Sequence, residues 1–230
     1  MGQSGGPKMP SDGLRFIVDT RNVTSVDTGY VTDFISQTSA TITSTSLSGL
    51  GITKGLLLSL ATSVLSFANM NSLSFSSLTI SSWIFPLSFG IGNSQGRILD
   101  KGSWAYPYYG YMLFVNNTTA TRAIHYACGN ILTNTGGYLN NSVDLNSWQH
   151  FAVTHSGLTA TFYKNGVSIG SSTNIIGATN VSNMSANIGN SLLSDRAFDG
   201  KISSVRVYNR VLSATEISQL YTSTKSRYGL

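Results

Sequence analysis

Residues 198–230 read FDGKISSVRVYNRVLSATEISQLYTSTKSRYGL. Within them ISSVRVY (202–208) alternates at the two-residue period of a half-buried strand. Val205 and Val207 are expected on the core side, Arg206 and Tyr208 on the solvent side. NRVLS then leads into ATEISQLY. Ser213 and Glu216 have the S-x-x-E spacing of a capping box, in which each side chain satisfies an otherwise orphan N–H of the first helical turn. Ile217, Leu220 and Tyr221 follow at helical spacing, an apolar stripe about two turns long. So short a helix is unstable alone. It is expected to fold back onto a sheet.

Working outward, the chain keeps the strand period. LRFIVDT (14–20) places Leu14, Phe16 and Val18 on one face. SLTISSWIFPL (77–87) ends in residues apolar on both parities, as in a central strand, and Pro86 is expected to end its pairing. GRILDKGSW (96–104), GYMLFVNN (110–117), TRAIHYACG (121–129) and GGYLNNS (136–142) continue an antiparallel pattern. In WQHFAVTHSGLTATFYKNGVSIGSS, Phe151 and Val153 alternate out, Ala160 and Phe162 alternate back, and Asn165-Gly166 supplies a type I′ hairpin turn. Residues 23–53 are Ser/Thr/Gly-rich and predict loops with short edge strands. The apolar window LLLSLATSVLSF (56–67) reads as a strand, being too short to span a membrane. Evenly spaced strands with no compositional break predict an arm over residues 1–12 and one all-β domain over 13–230: a two-sheet antiparallel jelly-roll sandwich with a short C-terminal helix.

Composition narrows the function classes. Hydrophobic residues make up 41% of the 230, enough for a core, and charged residues only 10%, so Ser, Thr and Asn must supply solubility. The net charge of +5 reflects scarce acids, with no Lys/Arg run. Nucleic acid is therefore not an expected partner, and neither is a membrane. Cys128, the one cysteine, rules out an intramolecular disulfide and reads as a small buried hydrophobe. MGQSGGPKMPSDG has no apolar core of a secretory signal, so a chain made in the cytoplasm is expected.

Three stretches resemble the concanavalin A-like, laminin-G-type jelly rolls: LTISSWIFP (78–86), WQHFAVTHSGLTATFYKNGVSIGS (148–171) and IGN (188–190) with RAFDGKISSVRVYNRVLSATEISQLY (196–221). The last is the most specific. GPKMPSDGLRFIVDTRN (6–22) and TKSRYGL (224–230) further resemble the start and end of such domains in structural proteins of tailed bacteriophages. Two segments depart from the family. Residues 56–67 replace its FDG-containing strand without the Asp, and residues 29–42 replace its W-x-D element.

Catalysis finds little support in the residues. A glycosidase needs two carboxylates flanking the scissile bond. This chain has one glutamate, Glu216, already a helix cap, and no D-x-D or D-x-x-D among its aspartates. Of the three histidines, His150 and His155 fall on opposite strand parities, a poor arrangement for a metal. The protein is expected not to be an enzyme. The family resemblance implies Ca²⁺ at the sandwich rim, for which Asp100 and Asp195 are the candidates; the scarcity of carboxylates argues for no cofactor. Two functional expectations remain. The phage-like ends imply a virion structural protein, in capsid decoration or in the tail or fibre, acting through virion proteins or further copies of itself. The alternative is a carbohydrate-binding adhesin that engages a cell-surface glycan through SWAYPYYGY (103–111), with Trp104, Tyr106, Tyr108, Tyr109 and Tyr111 as stacking faces or subunit contacts.

Overall fold

A computed structural model describes residues 9–20, 26–27, 30–43, 56–103, 109–118, 120–130, 133–175 and 184–230. In chain order the first strands are β1 (Leu14–Asp19), β2 (Val26–Asp27), β3 (Tyr30–Val31), β4 (Thr41–Thr43), β5 (Leu56–Leu58), β6 (Val64–Phe67), β7 (Leu78–Pro86) and β8 (Ile91–Gly92). Next come β9 (Arg97–Ser103), β10 (Tyr109–Asn116), β11 (Ala123–Asn130), β12 (Thr133–Leu139), β13 (Gln149–Ser156), β14 (Thr159–Lys164) and β15 (Val167–Ser172). The chain closes with β16 (Ala186–Ile188), β17 (Arg196–Ala197), β18 (Gly200–Tyr208) and α1 (Ala214–Thr224), followed by a 3-10 turn at Lys225–Tyr228.

Two seven-stranded antiparallel sheets carry the fold. The first runs β1-β18-β7-β13-β14-β15, with β5 also paired to β18; the second runs β12-β11-β10-β9-β16-β6-β4. The alternation read from sequence sets what lies between them. Phe16, Ile80, Phe151, Phe162 and Val205 meet Leu65, Leu99, Leu113 and Tyr126 in one buried core. Burying each such side chain is worth about 1.5–3 kcal/mol. β7 is central, paired to β18 and β13, and its pairing stops at Pro86. Asn165 and Gly166 both hold positive φ, 50° and 81°, the type I′ geometry expected of the β14–β15 hairpin.

The helix docks as its stripe required, on the outer face of the first sheet. Ile217, Leu220 and Leu212 pack on Ala152, Tyr163 and Tyr208 as a second core. This corrects the expectation for Arg206 and Tyr208. Both point away from the sandwich, as their parity dictates, yet both are buried, because the helix and residues 9–12 cover that face. Arg206 pairs with Asp19 at 3.1 Å, and the Tyr208 hydroxyl donates to the Pro10 carbonyl. The arm expected over residues 1–12 is thus tied to the body from Met9 onward, while residues 1–8 lie outside the described residues. Residues 56–67 are not one strand. They form β5 in the first sheet and β6 in the second, joined by a turn in which Ser63 N–H donates to the Leu60 carbonyl.

Candidate functional site

The outer face of the second sheet carries a cleft of about 310 Å³. A bulge in β9 builds it. Leu113 pairs with Leu99 but Phe114 pairs with Arg97, so β9 holds one extra residue and both Ile98 and Leu99 turn into the core. Arg97 and Asp100, three apart, then share the outward face. They form a buried ion pair, Nε to Oδ2 at 3.1 Å, and Asp100 Oδ1 accepts from Gly102 N–H. Burial pushes the Asp100 carboxyl up to about 6 against the pull of Arg97, and burial lowers Arg97 as well.

The opposite wall is the turn between β16 and β17. Asn190 staples it: its Oδ1 accepts from the N–H groups of Ser191 and Arg196, and its Nδ2 donates to the Ala61 carbonyl. Ser191 Oγ donates to Asp195 Oδ1 at 2.6 Å, holding that carboxylate at the rim. Gln95 links the two walls, accepting from Arg97 at its carbonyl and from Arg196 at its side chain. Among the described residues, Asp195 Oδ2 and Arg196 Nη2 keep no hydrogen-bond partner. Met112 is buried beneath the cleft, and Leu192 and the 82% exposed Leu193 supply apolar surface at the mouth. The cleft therefore offers an exposed donor and acceptor in fixed positions beside apolar surface, the makeup of a small-ligand site.

Asp100 and Asp195, the two Ca²⁺ candidates, do meet in this cleft, but the donor set does not fit the ion. Each carboxylate has an arginine beside it, Arg97 at 3.1 Å and Arg196 at 3.8 Å, so the charge a hard cation needs is already balanced. Among the described residues no group of three His, Cys, Asp or Glu side chains has ligating geometry. The three histidines face different surroundings. His150 lies under the helix with its Nε2 2.8 Å from Ser81 Oγ, His155 bonds Tyr126 at the sandwich core, and His125 lies on the outer face of β11.

Of the aromatic candidates, Trp104, Tyr106 and Tyr108 lie outside the described residues. Tyr111 is corrected: it is 2% exposed, and its hydroxyl donates to the Leu73 carbonyl inside the sandwich, leaving no face for a sugar. Tyr109 is half-buried at the start of β10, paired with Ser103 at the cleft edge. Arg97 and Arg196 escape a reading by strand alternation, because the bulge that unites Arg97 with Asp100 leaves no mark in the two-residue period.

A family model described as the Concanavalin A-like lectin/glucanases superfamily, Laminin_G_3, matches residues 61–218. The chain belongs to this superfamily. No curated protein matches its sequence. Among solved structures, the fold recurs at low identity. The binding domain of Paraclostridial Mosquitocidal Protein 1 aligns with TM-score 0.65 and 16% identity over 92% of this chain and 52% of that one. Domain 4 of AbnA, an extracellular GH43 arabinanase of Geobacillus stearothermophilus, in complex with arabinotriose, aligns with TM-score 0.64 and 18% identity over 90% and 98%. The Trypanosoma rangeli sialidase aligns with TM-score 0.68 and 15% identity over 96% and 35%. This chain thus spans about half of the first, nearly all of the second and about a third of the third.

Proposed function

We propose that the protein is a non-catalytic, lectin-like module that binds a glycan in the cleft between β9 and the β16–β17 turn. The carrying observation is the pair of unpartnered polar groups there, Asp195 Oδ2 and Arg196 Nη2, beside the exposed apolar Leu192 and Leu193. Vicinal hydroxyls of a sugar both donate and accept, which suits a carboxylate next to a guanidinium, while the apolar ring face suits Leu192 and Leu193. The arabinotriose held by domain 4 of AbnA supports a saccharide as the ligand class. Binding without catalysis is supported by Asp100, whose two oxygens are already engaged by Arg97 and Gly102, and by Glu216, which lies at the helix on the other sheet. The test is a glycan array followed by calorimetry on the best hit, with Arg196→Ala and Asp195→Ala alongside. Loss of binding by about tenfold in each, with an unchanged melting temperature, is expected. A wild-type chain that binds nothing on the array overturns the reading.

The second reading, a virion component of a tailed phage, rests on the resemblance of residues 6–22 and 224–230. The closing stretch also has a packing role: Tyr228 stacks on Trp83 and Arg227 pairs with Asp19. The glycan reading accordingly has the stronger support. The two are compatible, since an adhesin can sit on a particle; mass spectrometry of particles carrying the protein, with its copy number, tests the setting independently.

A further inference from the structure

Beyond the cleft, the register sets Arg97, Phe114, His125 and Tyr138 in one row across β9, β10, β11 and β12. Their side chains touch in sequence. The Arg97 guanidinium carbon lies 4.2 Å from the Phe114 ring centre, Phe114 and His125 stack at 4.4 Å, and His125 meets Tyr138 at 5.3 Å. Arg97 and Phe114 are buried, His125 is half-buried and Tyr138 is 49% exposed, so the row rises from the cleft to the edge strand.

The chemistry of His125 is fixed by its neighbours. Thr118 donates to Asn116 Oδ1 through both its N–H and its hydroxyl, at 2.9 and 3.0 Å, which sets the orientation of that amide. Asn116 Nδ2 then faces His125 Nδ1 at 3.3 Å, and since Nδ2 only donates, Nδ1 must accept. The ring proton therefore sits on Nε2. Burial and Arg97 hold the imidazole pKa down to about 4, so the ring is neutral at physiological pH. Among the described residues Nε2–H has no acceptor. It opens beside Gly136, an exposed residue where a Cβ would stand 2.7 Å from Nε2. Any side chain there would crowd this N–H.

We propose that His125 Nε2–H and the Tyr138 ring form a second sugar subsite, occupied by a further residue of the same glycan that enters the cleft. The inference rests on the glycan reading above. A ring hydroxyl accepts from Nε2–H while the apolar face of the sugar lies on Tyr138. Both sites lie on one face of one sheet. From β9 to β12 is three inter-strand spacings, about 14 Å, so the preferred ligand is an oligosaccharide and not a single sugar.

A glycan array probed with the whole chain and with His125→Phe, Tyr138→Ala, Gly136→Ala and Arg196→Ala tests this, each variant first matched to wild type by thermal melt. His125→Phe keeps the stack on Phe114 and removes the Nε2–H together with the Nδ1 that accepts from Asn116, a loss the thermal melt controls for, so it carries the test should Gly136→Ala fail to fold. The expected result is about tenfold weaker binding of oligosaccharides by the His125, Tyr138 and Gly136 variants, with the terminal monosaccharide held as by wild type. Wild-type affinity in the His125 and Tyr138 variants, with loss in Arg196→Ala, overturns the second subsite and leaves the cleft standing. A wild-type chain that binds no glycan overturns both. Nitrogen-15 NMR showing the ring proton on Nδ1 also overturns the subsite.

Discussion

Trp83 and Tyr228 lie ring on ring, their centroids 4.0 Å apart and their planes 18° from parallel. Trp83 belongs to the central strand of the first sheet, and its indole N–H donates to Thr224 Oγ1 at 2.9 Å. Tyr221 stacks on the same indole at 5.7 Å, and Tyr228 bonds Ser203 on β18 through its hydroxyl at 2.8 Å. One tryptophan thus anchors both the helix and the turn after it. The outer face of a sheet becomes a second core in this way.

Tyr228→Ala should destabilise the protein by about 2–4 kcal/mol, from lost burial and from the aromatic pair. Tyr228→Phe keeps the stack and loses one hydrogen bond, a cost of about 1 kcal/mol. Denaturant unfolding separates the two. Equal losses in both variants would mean that the hydroxyl, not the ring, holds the turn.

Asp19 Oδ2 accepts from Arg206 Nη2 and Arg227 Nη1, each at 3.1 Å. Arg206 is 2% exposed, so removing its counter-charge leaves a buried guanidinium unpaired. Asp19→Asn should therefore cost about 3 kcal/mol or more. The double variant Asp19→Asn with Arg206→Met, measured by the same unfolding curves, should recover much of the loss; no recovery would show that the carboxylate acts elsewhere.

Much of this was legible because it rests on short-range rules. The Ser213–Glu216 box, the Asn165-Gly166 turn and the alternation of Val205 with Val207 each depend on neighbours in sequence, and each stands in the structure. Arg206 and Tyr208 show the limit. Their parity is local, but what covers them arrives from residues 9–12 and from the helix, and only the tertiary fold decides that. The cleft was less legible still. In sequence Asp100 and Asp195 are acid candidates for Ca²⁺, yet the bulge at Ile98 sets Arg97 beside Asp100, and Gln95 brings Arg196 within reach. Tyr111 reads in sequence as one more aromatic of SWAYPYYGY, a stacking face or a subunit contact. Strand parity sends it inward, since it shares a face with Leu113 and Val115.

Acid should destabilise the fold above the ordinary carboxylate range. Burial is the main cause that lowers His150 to about 3 and His125 to about 4, and it lowers His155 as well. An unfolded histidine binds its proton near pH 6.5. Between about pH 6.5 and 4 the unfolded chain holds more protons, so stability falls as pH falls, by about 1.4 kcal/mol per pH unit for each net proton. Asp100 acts in the opposite sense: its carboxyl, raised to about 6, takes up a proton in the folded state first and offsets one histidine. Glu216 adds a later step. Its hydrogen bond with Arg210 holds it at about 2, so its stabilisation is complete above an ordinary glutamate pKa and is lost as pH falls toward 2. Melting curves from pH 7 to 5 should slope downward, and less steeply in His150→Phe. A flat profile would show that the histidines protonate without unfolding the chain.

Calcium should do nothing to this protein, although two aspartates share its cleft. Asp100 is engaged by Arg97 and Gly102, and Asp195 Oδ1 by Ser191 with Arg196 nearby, so an entering cation would meet carboxylates already balanced by arginines and find only Asp195 Oδ2 without a partner to displace. A ligand that binds only the folded state raises its stability by RT ln(1 + [L]/Kd), about 2.7 kcal/mol at a hundred times Kd. Differential scanning calorimetry with millimolar Ca²⁺ and then with EDTA should give one melting temperature. Glycan binding by calorimetry should likewise survive EDTA. Arg97→Met supplies the converse: with the guanidinium gone, Asp100 and Asp195 face each other uncompensated except by Arg196, and calcium should begin to raise the melting temperature. A rise already present in the wild-type chain would show that the arginines yield the carboxylates to the metal.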